Sequence, residues 1–172
     1  MWLKWLGGGL VIAGCSGLGI WHSILFLSRL KILCELERGI LILKGEIAYG
    51  RTPLPQAFEQ MAERTSGVVS DFFRTIAALL DEGKEDYQTL WGRTIHQFFT
   101  EHEMKKEDKK EFVDLGRTIG YLDAGMQLKS LELYQERLHK SIRGMEQEKE
   151  KYMKLYPVVG TMCGALLFII ML

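Results

Sequence analysis

The residues able to do chemistry are few and far apart in this sequence. His22, His96, His102 and His139 stand in isolation. His102 has Glu101 and Glu103 as neighbours, but adjacent residues on a helix point to different faces, which is poor geometry for a metal. Cys15, Cys34 and Cys163 give neither a disulfide framework nor zinc spacing and read as small apolar residues. Gly7-Gly-Gly9 lacks the Gly-Lys-Ser/Thr that would make it a phosphate cradle. Ile12-Ala-Gly-Cys15 has the look of a lipoprotein cleavage box, yet the apolar run continues well past Cys15, where a signal peptide would stop. No nucleophile is paired with a base, so the expectation is a protein that is not an enzyme and holds no metal or cofactor.

Charge narrows the class further. Lys plus Arg number 22 and Asp plus Glu number 22, so no global field favours nucleic acid. Lys105-Lys-Glu-Asp-Lys-Lys-Glu111 mixes both signs and reads as a solvated helix face, because its charges nearly cancel. Phe72-Phe73 and Phe98-Phe99 sit at core spacing, which makes a bundle core the better reading than a ligand box.

The elements that must carry these residues divide sharply by polarity. Trp5 to Ser28 and Tyr156 to Leu172 contain no Asp, Glu, Lys or Arg. Residues 5–27 can span about 30 Å of hydrocarbon as a helix, with Trp2, Trp5 and Trp21 available for the interfaces. Residues 156–172 reach spanning length if the helix begins near Tyr152. Gly9, Ala13 and Gly17 are four apart, and Gly160 and Gly164 repeat that spacing. Flat faces of this kind let helices approach closely in lipid, so two antiparallel spans packed through them are expected. Between them, residues 28–155 form a soluble domain.

That domain reads as helices throughout. Leu33, Leu36, Ile40, Leu43 and Ile47 make one apolar stripe, with Glu35, Glu37, Arg38, Lys44 and Glu46 mostly off it. Gly50 can take a left-handed cap, Thr52 can cap the next helix, and Pro53 and Pro55 are tolerable in its first turn. Ser66-Gly67 and Gly83 break the chain again. Asp86 and Asp123 suit N-caps. Phe112, Leu115, Ile119 and Leu122 mark another helix, and Gly116 and Gly120 within it allow this helix and the last one, or a partner, to come close, internal packing being the plainer reading. Leu131, Tyr134, Leu138, Ile142, Met145, Lys149 and Tyr152 line a long final helix, which has no stop signal before Tyr156 and which Pro157 could kink. The fold class is therefore all-α: a compact bundle of about six helices, flanked by N- and C-terminal transmembrane helices.

Two runs carry a resemblance. Glu46-Ile-Ala-Tyr49-Gly50 followed by Thr52-Pro53-Leu54-Pro-Gln-Ala-Phe58 resembles the stage III sporulation protein AB family of endospore-forming bacteria. So does Gly116-Arg-Thr-Ile-Gly120 followed by Asp123, Gln127 and Leu131-Glu-Leu133, although Tyr121-Leu122 replace the polar residues usual there. The first run is also similar, more distantly, to the cytoplasmic domain of the type II secretion inner-membrane platform protein. The resemblance implies a component of the sporulation channel complex joining mother cell and forespore. It would sit in the mother-cell membrane around the forespore and contact other membrane subunits, with the cognate cytoplasmic ATPase a further implied partner.

Residue positions give an orientation independently. Arg29, Lys31, Arg38 and Lys44 follow the first span, and Arg143, Lys149, Lys151 and Lys154 precede the second, which places the domain on the cytoplasmic side. The residues alone support a non-enzymatic, membrane-anchored helical adaptor that binds the lipid bilayer and no nucleic acid. The alternative is a membrane-anchored sensor whose domain binds a small ligand. A pocket within the bundle would favour the sensor, and a solvated patch near Gly50 to Pro55 the platform.

Overall fold

The computed structural model describes residues 2–50, 52–100, 103–120 and 123–171. The surroundings of the side chains at 2–13, 15–16, 50, 155–157, 160–161 and 163–171 lie outside that description, as do His102, Tyr121 and Leu122. The described residues form six α-helices and no strand: α1 (Trp2–Gly45), α2 (Leu54–Arg64), α3 (Val68–Glu82), α4 (Tyr87–Phe98), α5 (Lys106–Ile119) and α6 (Ala124–Met171). A π-helical turn, Glu46–Gly50, extends α1. The expected all-α bundle is the fold.

Two compact units emerge, Met1–Leu30 with Arg143–Leu172, and Lys31–Ile142. In the first unit the start of α1 meets the end of α6. Ser23 Oγ donates to the Tyr152 carbonyl at 2.9 Å and to Gly19 O at 3.1 Å, which gives a buried hydroxyl its partners. The Phe26 ring stacks on Tyr152 at 4.1 Å between centroids. Space beside Gly17 is open, so the contact runs through Ser23, Phe26 and Tyr152 there, while Gly9, Ala13, Gly160 and Gly164 fall outside the described side chains. The helix α6 continues through Pro157 without interruption.

In the second unit the apolar stripe of α1 becomes the spine of the core. Leu33, Leu36 and Leu43 are wholly buried and Ile40 nearly so. The amphipathic helices α2 to α5 close around them. Phe72 is the hub: its ring lies 5.0 Å from Phe73, 5.3 Å from Trp91, 5.3 Å from Phe99 and 5.5 Å from Phe112. Each such fully buried ring contributes roughly 1.5–3 kcal/mol by leaving water. Of the two aromatic pairs, Phe72, Phe73 and Phe99 are core, while Phe98 stays half-buried. The final helix adds Leu131, Tyr134, Leu138 and Ile142.

The turns follow the expected punctuation with two exceptions. Gly67 and Gly83 have φ of 63° and 62°, the left-handed region that favours glycine. Asp86 accepts from Gln88 N–H at 3.2 Å and Asp123 from Met126 N–H at 2.9 Å, so both act as N-caps. Gly50, by contrast, closes a π-helical turn; the positive-φ glycines among the described residues are Gly67 and Gly83. Thr52 does not cap α2 either. The N-cap is Pro53, whose φ of −56° and ψ of 143° come with no side-chain bond.

Glu35 is the main departure inside the stripe. It is buried, and its Oε2 accepts from the Ser66 N–H at 3.0 Å, with Arg38 Nη1 at 3.3 Å from Oε1. A carboxylate at that position satisfies the backbone between α2 and α3, an arrangement that spacing alone could not disclose.

Candidate interaction site

The strongest candidate surface begins where α1 loosens into a π-helical turn. A π-helical turn inserts an extra residue into the helical repeat, and such turns concentrate at functional positions. Tyr49 lies within this turn, two residues past the last member of the stripe, and its side chain is 93% exposed. The turn is held from both sides. Thr52 Oγ1 donates to Glu46 Oε2 at 2.6 Å, a charge-assisted bond that closes the loop on itself. The Ala57 N–H reaches the Pro53 carbonyl at 3.0 Å, starting α2, and Leu54 is half-buried behind it. Proline at 53 and 55 stiffens the exit, since φ is fixed at both positions. Tyr49 therefore stands out on a braced turn, a large amphipathic ring whose backbone is already ordered.

The second motif run lies at the junction of α5 and α6. Gln127 Nε2 donates to the Ile119 carbonyl at 2.6 Å, satisfying one of the orphan carbonyls at the end of α5. Asp123 caps α6, so adjacent motif residues brace opposite helix ends. Gly116 is buried, and a Cβ there would overlap the Trp91 indole, whose Nε1 donates to Phe112 O at 3.1 Å. A Cβ on Gly120 would come within 2.6 Å of the Tyr87 ring. Both glycines thus admit aromatic rings from α4. The close approach they permit is internal, of α4 onto α5.

The two runs are tied indirectly. Lys44, just before Glu46, donates to Gln135 Oε1 at 3.1 Å and sits 3.5 Å from Glu132, both on the helix that Asp123 opens. Further along, His139 Nδ1 lies 2.9 Å from Glu37 Oε1. These groups line a cleft of about 450 Å³ between α1 and α6. Its walls are charged, unlike the mostly apolar lining of a small-molecule pocket.

Among the described residues no group of three or more His, Cys, Asp or Glu could hold a metal ion. Tyr87 and Tyr134 both have phenols pushed well above the usual range by burial, and at Tyr134 the nearby Asp108 and Glu111 carboxylates add to it. Tyr87 Oη is buried with no hydrogen-bond partner, so that hydroxyl is a packing group held neutral. Sequence spacing missed the roles of Glu35 and Gly39. Gly39 has a usable signal in retrospect, a glycine inside the apolar stripe. A Cβ there would meet Phe73 Cε2 at 3.0 Å.

These features define an all-α protein with an extended helix at each end and a braced, exposed turn. The chain belongs to the stage III sporulation protein AB family, which matches over residues 4–172. It is 26% identical over 170 residues to stage III sporulation protein AB of Bacillus subtilis (strain 168), covering 99% of each chain. It also resembles a solved structure of stage III sporulation protein AB (SpoIIIAB), with a TM-score of 0.64 and 27% identity over 72% of this chain and 98% of that one. The described helical stretch Gly17–Tyr49 is long and apolar enough to cross a membrane. Its later half carries Leu33, Leu36, Ile40 and Leu43, which the bundle core buries.

Proposed function

We propose that this protein is a non-enzymatic platform component of the sporulation channel complex between mother cell and forespore. It is anchored in the mother-cell membrane around the forespore, with its helical domain on the cytoplasmic side. Its partners are other membrane subunits of that complex, and its cytoplasmic ATPase is a further one. What supports the reading is the family together with one observation: Tyr49, 93% exposed, projects from a turn that Glu46 and Thr52 lock. An exposed aromatic on a rigid mount is the kind of residue that dominates binding energy at protein interfaces.

The test replaces Tyr49 by Ala and by Asp in a sporulating strain. Protein level and membrane location should be unchanged while spore formation falls. Normal spore formation by both variants would remove Tyr49 as the contact and, with it, the main support for docking at this turn. The orientation has its own test. Single cysteines placed at exposed positions between 103 and 111 should resist an impermeant thiol reagent on intact cells and label only after lysis; labelling before lysis would overturn the cytoplasmic placement.

A further inference from the structure

The charged run at the start of α5 is balanced in sequence but not in space. Asp108 and Glu111 turn toward α6, where Ser141 Oγ donates to Asp108 Oδ1 at 3.4 Å and Arg137 pairs with Glu111 at 3.5 Å. The cations turn the other way. Lys106, Lys109, Lys110 and Arg117 line one side of a groove against α4, joined by His96 at its edge. Asp114 is the one carboxylate in that lining, paired with Arg117 at 3.5 Å. Helical periodicity explains the sorting: positions 106, 109, 110, 113 and 117 share a face, and 108 and 111 fall off it.

The groove has a volume of about 440 Å³ and an apolar floor at half-buried Val113, with Met104 wholly buried beneath it. Lys109 is fixed in its wall, Nζ donating to the Phe99 carbonyl at 2.7 Å. We infer that this α4–α5 groove docks an acidic segment of a partner protein, its carboxylates toward Lys106 and Lys110 and its apolar side chains over Val113. A concave site with an apolar floor suits a peptide with alternating acidic and apolar residues. A lipid headgroup layer would be met better by cations standing on a flat or convex face. The groove is a different surface from the Tyr49 turn, and the inference does not rest on the platform reading.

The test uses the full chain in a non-ionic detergent and a fluorescein-labelled peptide alternating Glu and Leu, followed by anisotropy. Binding should weaken as salt is raised. Lys106→Glu with Lys110→Glu should weaken it by about tenfold or more, and Lys106→Gln with Lys110→Gln by less. Lys129→Glu with Lys140→Glu changes net charge equally at exposed sites on α6 and should leave affinity within about twofold. All four lysines are exposed, so circular dichroism should be unchanged throughout. Equal losses in the α5 and α6 pairs, or no binding by the unaltered chain, would overturn the inference. So would a preference for phosphatidylglycerol vesicles or a single-stranded oligonucleotide over the peptide.

Discussion

Trp91 and Gly116 occupy the space of one side chain between them. The indole from α4 lies where a Cβ on α5 would be, and its Nε1 donates to the Phe112 carbonyl one helical turn earlier. The ring is also 5.3 Å from Phe72, so this contact fixes the distance between α4 and α5 and joins both to the aromatic core.

Gly116→Val should therefore cost about 1–3 kcal/mol, since overpacking forces the indole or the backbone to move. Urea unfolding of the purified chain measures it. Trp91→Phe made together with Gly116→Val should recover part of the loss, because neighbouring substitutions couple. A fully additive double variant would show that the two do not share the space.

Glu35→Ala should cost on the order of 1–3 kcal/mol, leaving the Ser66 N–H without its buried acceptor. Amide hydrogen exchange at Ser66 should rise more than at residues in mid-α3. Equal protection at Ser66 in the variant would mean another group satisfies it.

Ile40→Asp should cost several kcal/mol, because a charge would enter the core at a side chain that is 1% exposed. The fragment 29–155 should fold without the apolar ends, since the core residues from Leu33 to Met145 lie within it. A random-coil circular dichroism spectrum from that fragment would show that the ends are needed for folding.

Alkaline pH should destabilise the bundle through Tyr87 and Tyr134. Both folded-state phenols are raised above their unfolded value by burial, so the folded state holds protons that the unfolded state releases. Their contribution is complete below about pH 10 and is lost progressively as pH rises beyond it. Tyr87→Phe should remove part of that dependence in urea titrations run across this range, and at neutral pH it should be neutral or stabilising, because an unpartnered hydroxyl is deleted.

At the apolar ends, Gly160→Leu with Gly164→Leu keeps hydrophobicity and removes a flat helix face. If these helices recruit neighbouring subunits, the variant should reach the membrane at normal level and still form few spores. Normal spore formation after exchanging both ends for unrelated anchors of matched topology would assign the function to the helical domain alone.

The sequence by itself determined the helices, the α1 stripe, the glycine breaks at 67 and 83, and the caps at Asp86 and Asp123. All of these are local: they follow from the 3.6-residue period and from backbone freedom at single residues. The family was legible for a similar reason, in two short runs of fixed spacing. Only the tertiary structure decided which neighbour each residue meets. Gly116 gave no sign that its partner is Trp91, and Glu35 read as a surface charge until Ser66 was folded against it. The π-helical turn was hidden because this local unwinding depends on how α1 and α2 are joined, so Thr52 looked like a cap and serves as a brace on Glu46. The run from Lys105 to Glu111 sums to almost nothing along the chain. Folding presents its two faces to different neighbours, and charge acts through space.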